Sequence, residues 1–191
     1  MHEINSALVR VIPFAIVPVV FGILLKKGKI SADLIALQRP ASNRYFMLWL
    51  TGFLLLTLAI EYLLAGFGLL EIDKWNHASY AGSAIRIFGA VVLAPISEEL
   101  LFRGMMLGKL LQSKKVSLPA AIAIQAIVFV ALHNFTWQHS TSSYIGIAQG
   151  LLDASLFALA RIRTGSLATS IGMHATGNLI ATLERFTRLA T

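Results

Sequence analysis

Long apolar runs separated by short polar clusters define this chain. A helix that crosses a bilayer needs about 20 mostly apolar residues. Six runs fit that description: Ala7–Leu25, Tyr45–Leu70, Ser83–Leu111, Ser117–Phe135, Tyr144–Ala160 and Ser166–Leu183. The pattern predicts an all-α fold, a polytopic transmembrane helical bundle of about six spanning helices. No repeat, low-complexity tract or linker divides it, so residues 1–191 read as a single integral-membrane domain, with its chemistry-bearing core over about 83–184. The third run is long enough to be tilted, or broken near Pro95. A proline inside a helix removes a backbone donor, and membrane helices tolerate this where a neighbour or side chain satisfies the freed carbonyl.

Charge alternates between the connecting segments. Lys26, Lys27, Lys29, Arg39 and Arg44 follow the first run, Lys109, Lys114 and Lys115 the third, and Arg161 and Arg163 the fifth. Between them lie Glu71, Asp73 and Lys74, then a stretch around 136–143 with no Lys or Arg. The excess of cations on cytoplasmic loops places the three basic segments inside and both termini outside, with Arg185 and Arg188 running against that order. Trp49, Trp75 and Trp137 fall near run ends and read as interfacial anchors. Gly104 with Gly108, and Gly146 with Gly150, permit close helix approach.

Composition agrees with a lipid solvent. The chain is 57% hydrophobic and 13% charged, with a mean hydropathy of +0.74, against about 25% charged residues in soluble domains. The net charge of +7 sits between apolar runs, which suits loop anchors and not nucleic acid. Cys is absent, which excludes disulfides and thiolate chemistry. The first run lacks a basic leader and a small-residue cleavage site, so it is expected to stay attached.

Against this background the ionisable residues inside the runs are informative, because a charge at mid-bilayer costs roughly 2.5–3.5 kcal/mol on insertion scales. Glu98 and Glu99 are adjacent, with Arg103 four residues after Glu99. On a helix Glu99 and Arg103 share a face and neutralise each other. Glu98 points about 100° away without a local cation. The pair therefore divides into one carboxylate held ionised and one serving as a base. The alternative is a helix-end ion cluster facing water. His133 sits towards the end of the fourth run and, taken alone, is better explained as an interfacial or hydrogen-bonded core histidine. His174 and Asn178 are four apart on one face of the sixth run. They read either as donors to a developing oxyanion or as a polar seam between helices. By helical rise, Glu98 and His174 lie roughly 15 Å from the basic side and His133 roughly 25 Å. That offset requires tilt, a late start to the fourth helix, or a deeper pocket.

In order, these residues match three motifs. Glu98-Glu99-Leu-Leu-Phe-Arg103, followed by Gly104, fits Glu-Glu-x-x-x-Arg; Phe129-Val-Ala-Leu-His133 fits Phe-x-x-x-His; His174-Ala-Thr-Gly-Asn178 fits His-x-x-x-Asn/Asp. The chain thereby resembles the CAAX-protease and bacteriocin-processing family of intramembrane endopeptidases, also called the Abi or type II CAAX prenyl endopeptidase-like family. The match covers about Ile87 to Ile180, and the approach 164–174 is similar to the family's as well. Each motif alone is common, whereas all three in order within apolar runs are specific.

The resemblance implies hydrolysis of a peptide bond in a membrane-associated peptide or protein. Glu98, assisted by His133, activates water; His174 and Asn178 stabilise the oxyanion; Arg103 holds Glu99. No cofactor is implied by that scheme. The alternative is a zinc or other divalent metal on Glu98, His133 and His174, with water in the fourth position. The expected partners are membrane lipid and a peptide or protein substrate, with no nucleic acid, and the expected location is a multi-pass position in a bacterial cytoplasmic membrane. Two other functions fit the same pattern: a non-catalytic immunity or scaffold protein, and an ion-coupled transporter using Glu98, Glu99 and Asp153. The chain lacks the internal symmetry common in transporters. Four ionisable residues fall outside these motifs. Arg10 and Arg86 are close enough to run ends to snorkel; Glu61 is expected to reach Arg86 or water; Asp153 is expected to pair with Arg103 or meet the substrate. Met105 and Met106 read as packing residues.

Overall fold

The structure, a computed structural model, describes residues 2–69, 79–113 and 115–187. Glu71, Asp73, Lys74, Trp75, Lys114 and Arg188 lie outside the described residues, as does the end of the second predicted run at Leu70. Among the described residues every regular element is helical. Helix α1 is His2–Lys26 and α2 is Asn43–Gly66. Helix α3 runs through 80–112 as Tyr80–Phe88, a wide π segment Gly89–Leu93, Ala94–Glu99, a second π segment Leu100–Met106, and Leu107–Gln112. Helix α4 is Leu118–Ala131, α5 is Thr141–Thr164 and α6 is Leu167–Thr187.

Local sequence sets these bounds. Ser79, Ser117 and Ser140 stand at the N-caps of α3, α4 and α5, each side chain accepting from a backbone N–H three residues on, which satisfies a donor the helix leaves free. Gly165 ends α5 in the left-handed region at φ 67, where glycine carries no Cβ penalty. Pro95 does not break α3. It sits in the first turn of the stretch that follows the first π segment, where its missing N–H is tolerated.

Among the described residues three helices are long and apolar enough to cross a membrane: 3–26, Asn43–Gly66 and Thr141–Thr164. Their outer faces expose Val9, Ile12, Ile16, Val19 and Ile23 on α1 and Leu55, Leu58 and Leu63 on α2, a surface suited to lipid. The other three predicted spans differ for identifiable reasons. Helix α3 is interrupted by its wide turns and carries Arg86, Glu98, Glu99 and Arg103. Helix α4 has 14 residues, ending at Ala131 instead of Phe135, because the chain turns there into a short 3₁₀ stretch, Asn134–Trp137. Helix α6 is diluted by the Thr, Ser, His and Asn residues it turns inward.

The segment between α1 and α2 is more than a surface loop. Ile35 is fully buried, packed against Phe21, Leu100 and Leu167. Leu167 N–H donates to Ala36 O at 2.7 Å, Ser166 Oγ to Gln38 O at 2.6 Å, and Arg161 Nη2 to Leu34 O at 2.7 Å. A Cβ added to Gly108 would meet the Leu34 carbonyl, and one added to Gly104 would meet Ile35. The Gly104/Gly108 pair therefore admits this loop, not another helix. Gly146 faces Phe135, and Gly150 faces both Phe135 and Val130 of α4, so the second pair does admit a neighbouring helix. Met105 packs on the Ile35 cluster, and Trp49 packs on Phe53, Phe157 and Met173 instead of serving only as an interfacial anchor.

Candidate active site

Glu99 and Arg103, one turn apart on α3, are both fully buried, and Arg103 Nη1 donates to Glu99 Oε1 at 2.8 Å. The guanidinium lies over Phe129 of α4 at 4.4 Å and Phe157 of α5 at 5.2 Å from the ring centroids. Ring faces attract cations, so the charge is held between a carboxylate and two π surfaces. Glu99 Oε1 also accepts from His174 Nδ1 of α6 at 3.0 Å. The His174 ring is stacked on Phe157, with centroids 5.3 Å apart. One carboxylate thus fixes both a guanidinium and an imidazole.

His133 follows α4 with an extended backbone, φ −90 and ψ 138. Its Nδ1 lies 2.7 Å from Phe129 O. A carbonyl only accepts, so Nδ1 carries the proton. With Nδ1 of each imidazole committed as a donor, both Nε2 atoms are left for other chemistry. They converge on Glu98: His174 Nε2 is 3.7 Å and His133 Nε2 is 4.0 Å from Glu98 Oε2. Those gaps are long for direct hydrogen bonds and suit a shared water.

The expected depth offset disappears once the observed ends are used. Glu98 lies 14 residues before Gln112, the last residue of α3, and His133 lies 15 residues beyond Leu118, the first of α4. They come to about 21 and 23 Å of helical rise. Helix α6 starts deeper, at the fully buried Leu167 beneath the 28–41 segment, which lets His174 arrive at the same level after two turns.

Asn178 is on the His174 face of α6, as the four-residue spacing predicts, but its Nδ2 donates to Ala90 O in the first π segment of α3 at 2.7 Å. His133, His174 and Asn178 line a cavity of about 380 Å³, with Asp153, Glu61 and Gln149 among the other polar lining residues. Helix α3 contributes nothing to that lining, so the two imidazoles are shared between the cavity and Glu98. Asp153 makes no ion pair with Arg103 and stands in the cavity wall, while Glu61 lines the same cavity and makes no ion pair with Arg86. Two participants escape a reading of motifs alone. Phe157, four residues after Asp153 and so on its face of α5, had a usable spacing signal; the Ala90 carbonyl had none.

The alternative metal set, Glu98, His133 and His174, is spaced more widely here than a tetrahedral zinc draws its ligands. A tetrahedral zinc with bonds of about 2.0–2.1 Å separates its ligand atoms by about 3.3–3.4 Å, less than either gap to Glu98 Oε2. Among the described residues no group of three or more His, Asp and Glu side chains is disposed to hold a metal ion.

A family model described as type II CAAX prenyl endopeptidase Rce1-like matches residues 80–180, more than half of the chain and all of α3, α4 and α5. No curated protein and no solved structure matches. The match spans every residue of the cluster just described. The chain belongs to the type II CAAX prenyl endopeptidase Rce1-like family, and is an integral membrane protein of this CAAX-type intramembrane protease class.

Proposed function

We propose that the protein is an intramembrane endopeptidase in which Glu98 and His133 activate a water without a metal, and His174 meets the charge that develops on the substrate. The observation that carries this reading is the convergence of two imidazole Nε2 atoms on one Glu98 oxygen, 3.7 and 4.0 Å away.

Charge balance supports the roles. Two carboxylates, Glu98 and Glu99, face one permanent cation, Arg103. Asp153, in the cavity wall with His174, adds a third carboxylate, so a low-dielectric interior favours further protons held among these acids and the imidazoles. Glu99 behind His174 compensates an imidazolium there, as a carboxylate does for a catalytic histidine. His133 has only a carbonyl behind it, which leaves its Nε2 lone pair to accept from the water. In the proposed reaction, water between Glu98 and His133 gives its proton to Glu98. The hydroxide oxygen attacks the peptide carbonyl carbon, and the oxyanion accepts from the His174 Nε2–H. Collapse breaks the C–N bond, and the proton on Glu98 passes to the leaving amine. Asn178, on the cavity wall beside His174, completes the set implied by the motifs.

The surroundings favour an amphipathic substrate. Next to the polar cavity is an apolar one of about 300 Å³ lined by Tyr45, Leu48, Trp49, Phe53, Leu156 and Met173, and Phe53 lines both. A peptide with a polar scissile segment and an apolar anchor fits that pairing. The test is cleavage of membrane-inserted peptides by purified protein in proteoliposomes, with fragments identified by mass spectrometry. Glu98→Gln is expected to lower the rate by at least about 10³-fold and His133→Ala by about 10²–10⁴-fold, with both variants inserting normally. A phenotype that survives both substitutions would instead indicate a binding or immunity role.

A further inference from the structure

Asn178 has a second assignment, carried by the backbone of α3. In the first π segment the Ala94 N–H donates to Gly89 O, five residues back. The next donor in that wide register would be residue 95, pairing with Ala90 O. Residue 95 is proline and has no N–H. Ala90 O therefore lacks a donor from either of the two main-chain positions that would normally serve it, and the Asn178 side-chain amide supplies one at 2.7 Å. An unpaired carbonyl inside a membrane protein is strongly disfavoured, so this bond determines whether the wide turn persists.

We infer that Asn178 is a positioning residue: by satisfying the carbonyl that Pro95 orphans, it holds the π turn that aims Glu98 at the two histidines. A wide turn takes up about one residue more than an α turn, and one residue corresponds to about 100° of rotation. Were Ala90 O released, α3 would rewind towards α geometry and carry Glu98, three residues beyond Pro95, away from His133 and His174. Helices α3 and α6 are in direct contact along this stretch, and Ser97, between Pro95 and Glu98, donates its hydroxyl to Phe14 O of α1. The segment preceding the proposed base is thus fixed from two sides, by α6 through Asn178 and by α1 through Phe14.

This inference rests on the peptidase reading for its functional consequence but not for its structural content, and the test separates the two. Asn178→Ala, Pro95→Ala and the double variant are compared for cleavage and for thermal unfolding in detergent. Restoring an N–H at residue 95 provides a main-chain donor in place of the missing amide. Asn178→Ala alone is expected to lose about 10²-fold in kcat with KM little changed and to lower Tm by roughly 3–6 °C. Pro95→Ala alone is expected to stay within about threefold of the parent. The double variant is expected to recover most of the lost kcat and at least half of the lost Tm. A double variant as slow as Asn178→Ala, with an undiminished fall in Tm, overturns the inference and leaves Asn178 acting directly on the oxyanion. If the parent protein cleaves nothing, the peptidase reading fails, and the Tm comparison still decides the coupling. If Asn178→Ala does not accumulate, recovery of folded protein in the Pro95→Ala background supports the inference, and its absence contradicts it.

Discussion

Glu99 is the residue on which the local electrostatics turn. It is fully buried and accepts from Arg103 and His174 through one oxygen, so its removal releases two charged or polar groups at once. Breaking a buried pair by deleting one partner typically costs about 3–5 kcal/mol. Glu99→Ala and Arg103→Ala are expected to lose the folded state over that range, read as a large fall in Tm or as degradation in the membrane. Arg103→Lys keeps the charge but not the planar group spanning Phe129 and Phe157, and is expected to fold with reduced stability. Asp153 is different, because it lines the cavity and has no ion pair among the described residues. Asp153→Asn is expected to change KM by more than it changes kcat, measured on a peptide that the parent cleaves. The Glu99–Arg103 pair was legible in the sequence, since i and i+4 charges meet on any helix. The bond of Asn178 to Ala90 O was not, because it depends on a tertiary approach of α6 to a turn whose width no spacing rule reports.

At the scale of elements, α3 and the segment that docks on it do the positioning. The segment between α1 and α2 enters the protein because Gly104 and Gly108 leave room for Ile35 and the Leu34 carbonyl. Gly108→Val is expected to expel that segment and weaken the base of α6, whose Leu167 N–H bonds Ala36 O. Gly22→Ala, where an added methyl group meets nothing within 4 Å, serves as the neutral control; limited proteolysis within 27–42 distinguishes the two. Sequence periodicity located the helices well where both ends carry caps or glycine, as in α5. It misjudged α4, whose apolar run continues through Phe135 although the backbone leaves the helix at Leu132 to present His133. It also read Gly104 and Gly108 as helix contacts although a loop fills the space, because a small residue reports closeness without naming the neighbour; Gly150 does meet a helix, at Val130 of α4.

For the whole molecule, the expected orientation rests on where the cations gather. Hydrogen bonds from Leu167 and Arg161 bring the segment between α1 and α2 to the end of the bundle at which α5 ends and α6 begins. Lys27, Lys29 and Arg163 are therefore at one end of the bundle, consistent with basic segments facing the cytoplasm. Because the chain has no cysteine, single cysteines can be introduced without background. Lys27→Cys is expected to react with an impermeant thiol reagent only from the cytoplasmic face, and His139→Cys only from the opposite one. The reverse pattern contradicts the proposed orientation.

In the proposed peptidase, side chains from separate helices gather around one hydrolytic water. Its most direct test is incubation of the purified protein in nanodiscs with a library of membrane-bound peptides, in heavy-oxygen water and with a strong chelator present. A metal-free peptidase yields new fragments whose carboxyl termini each gain a heavy oxygen, at a rate the chelator leaves unchanged and Glu98→Gln removes. Absence of fragments, or activity lost to the chelator and restored by zinc, would contradict it.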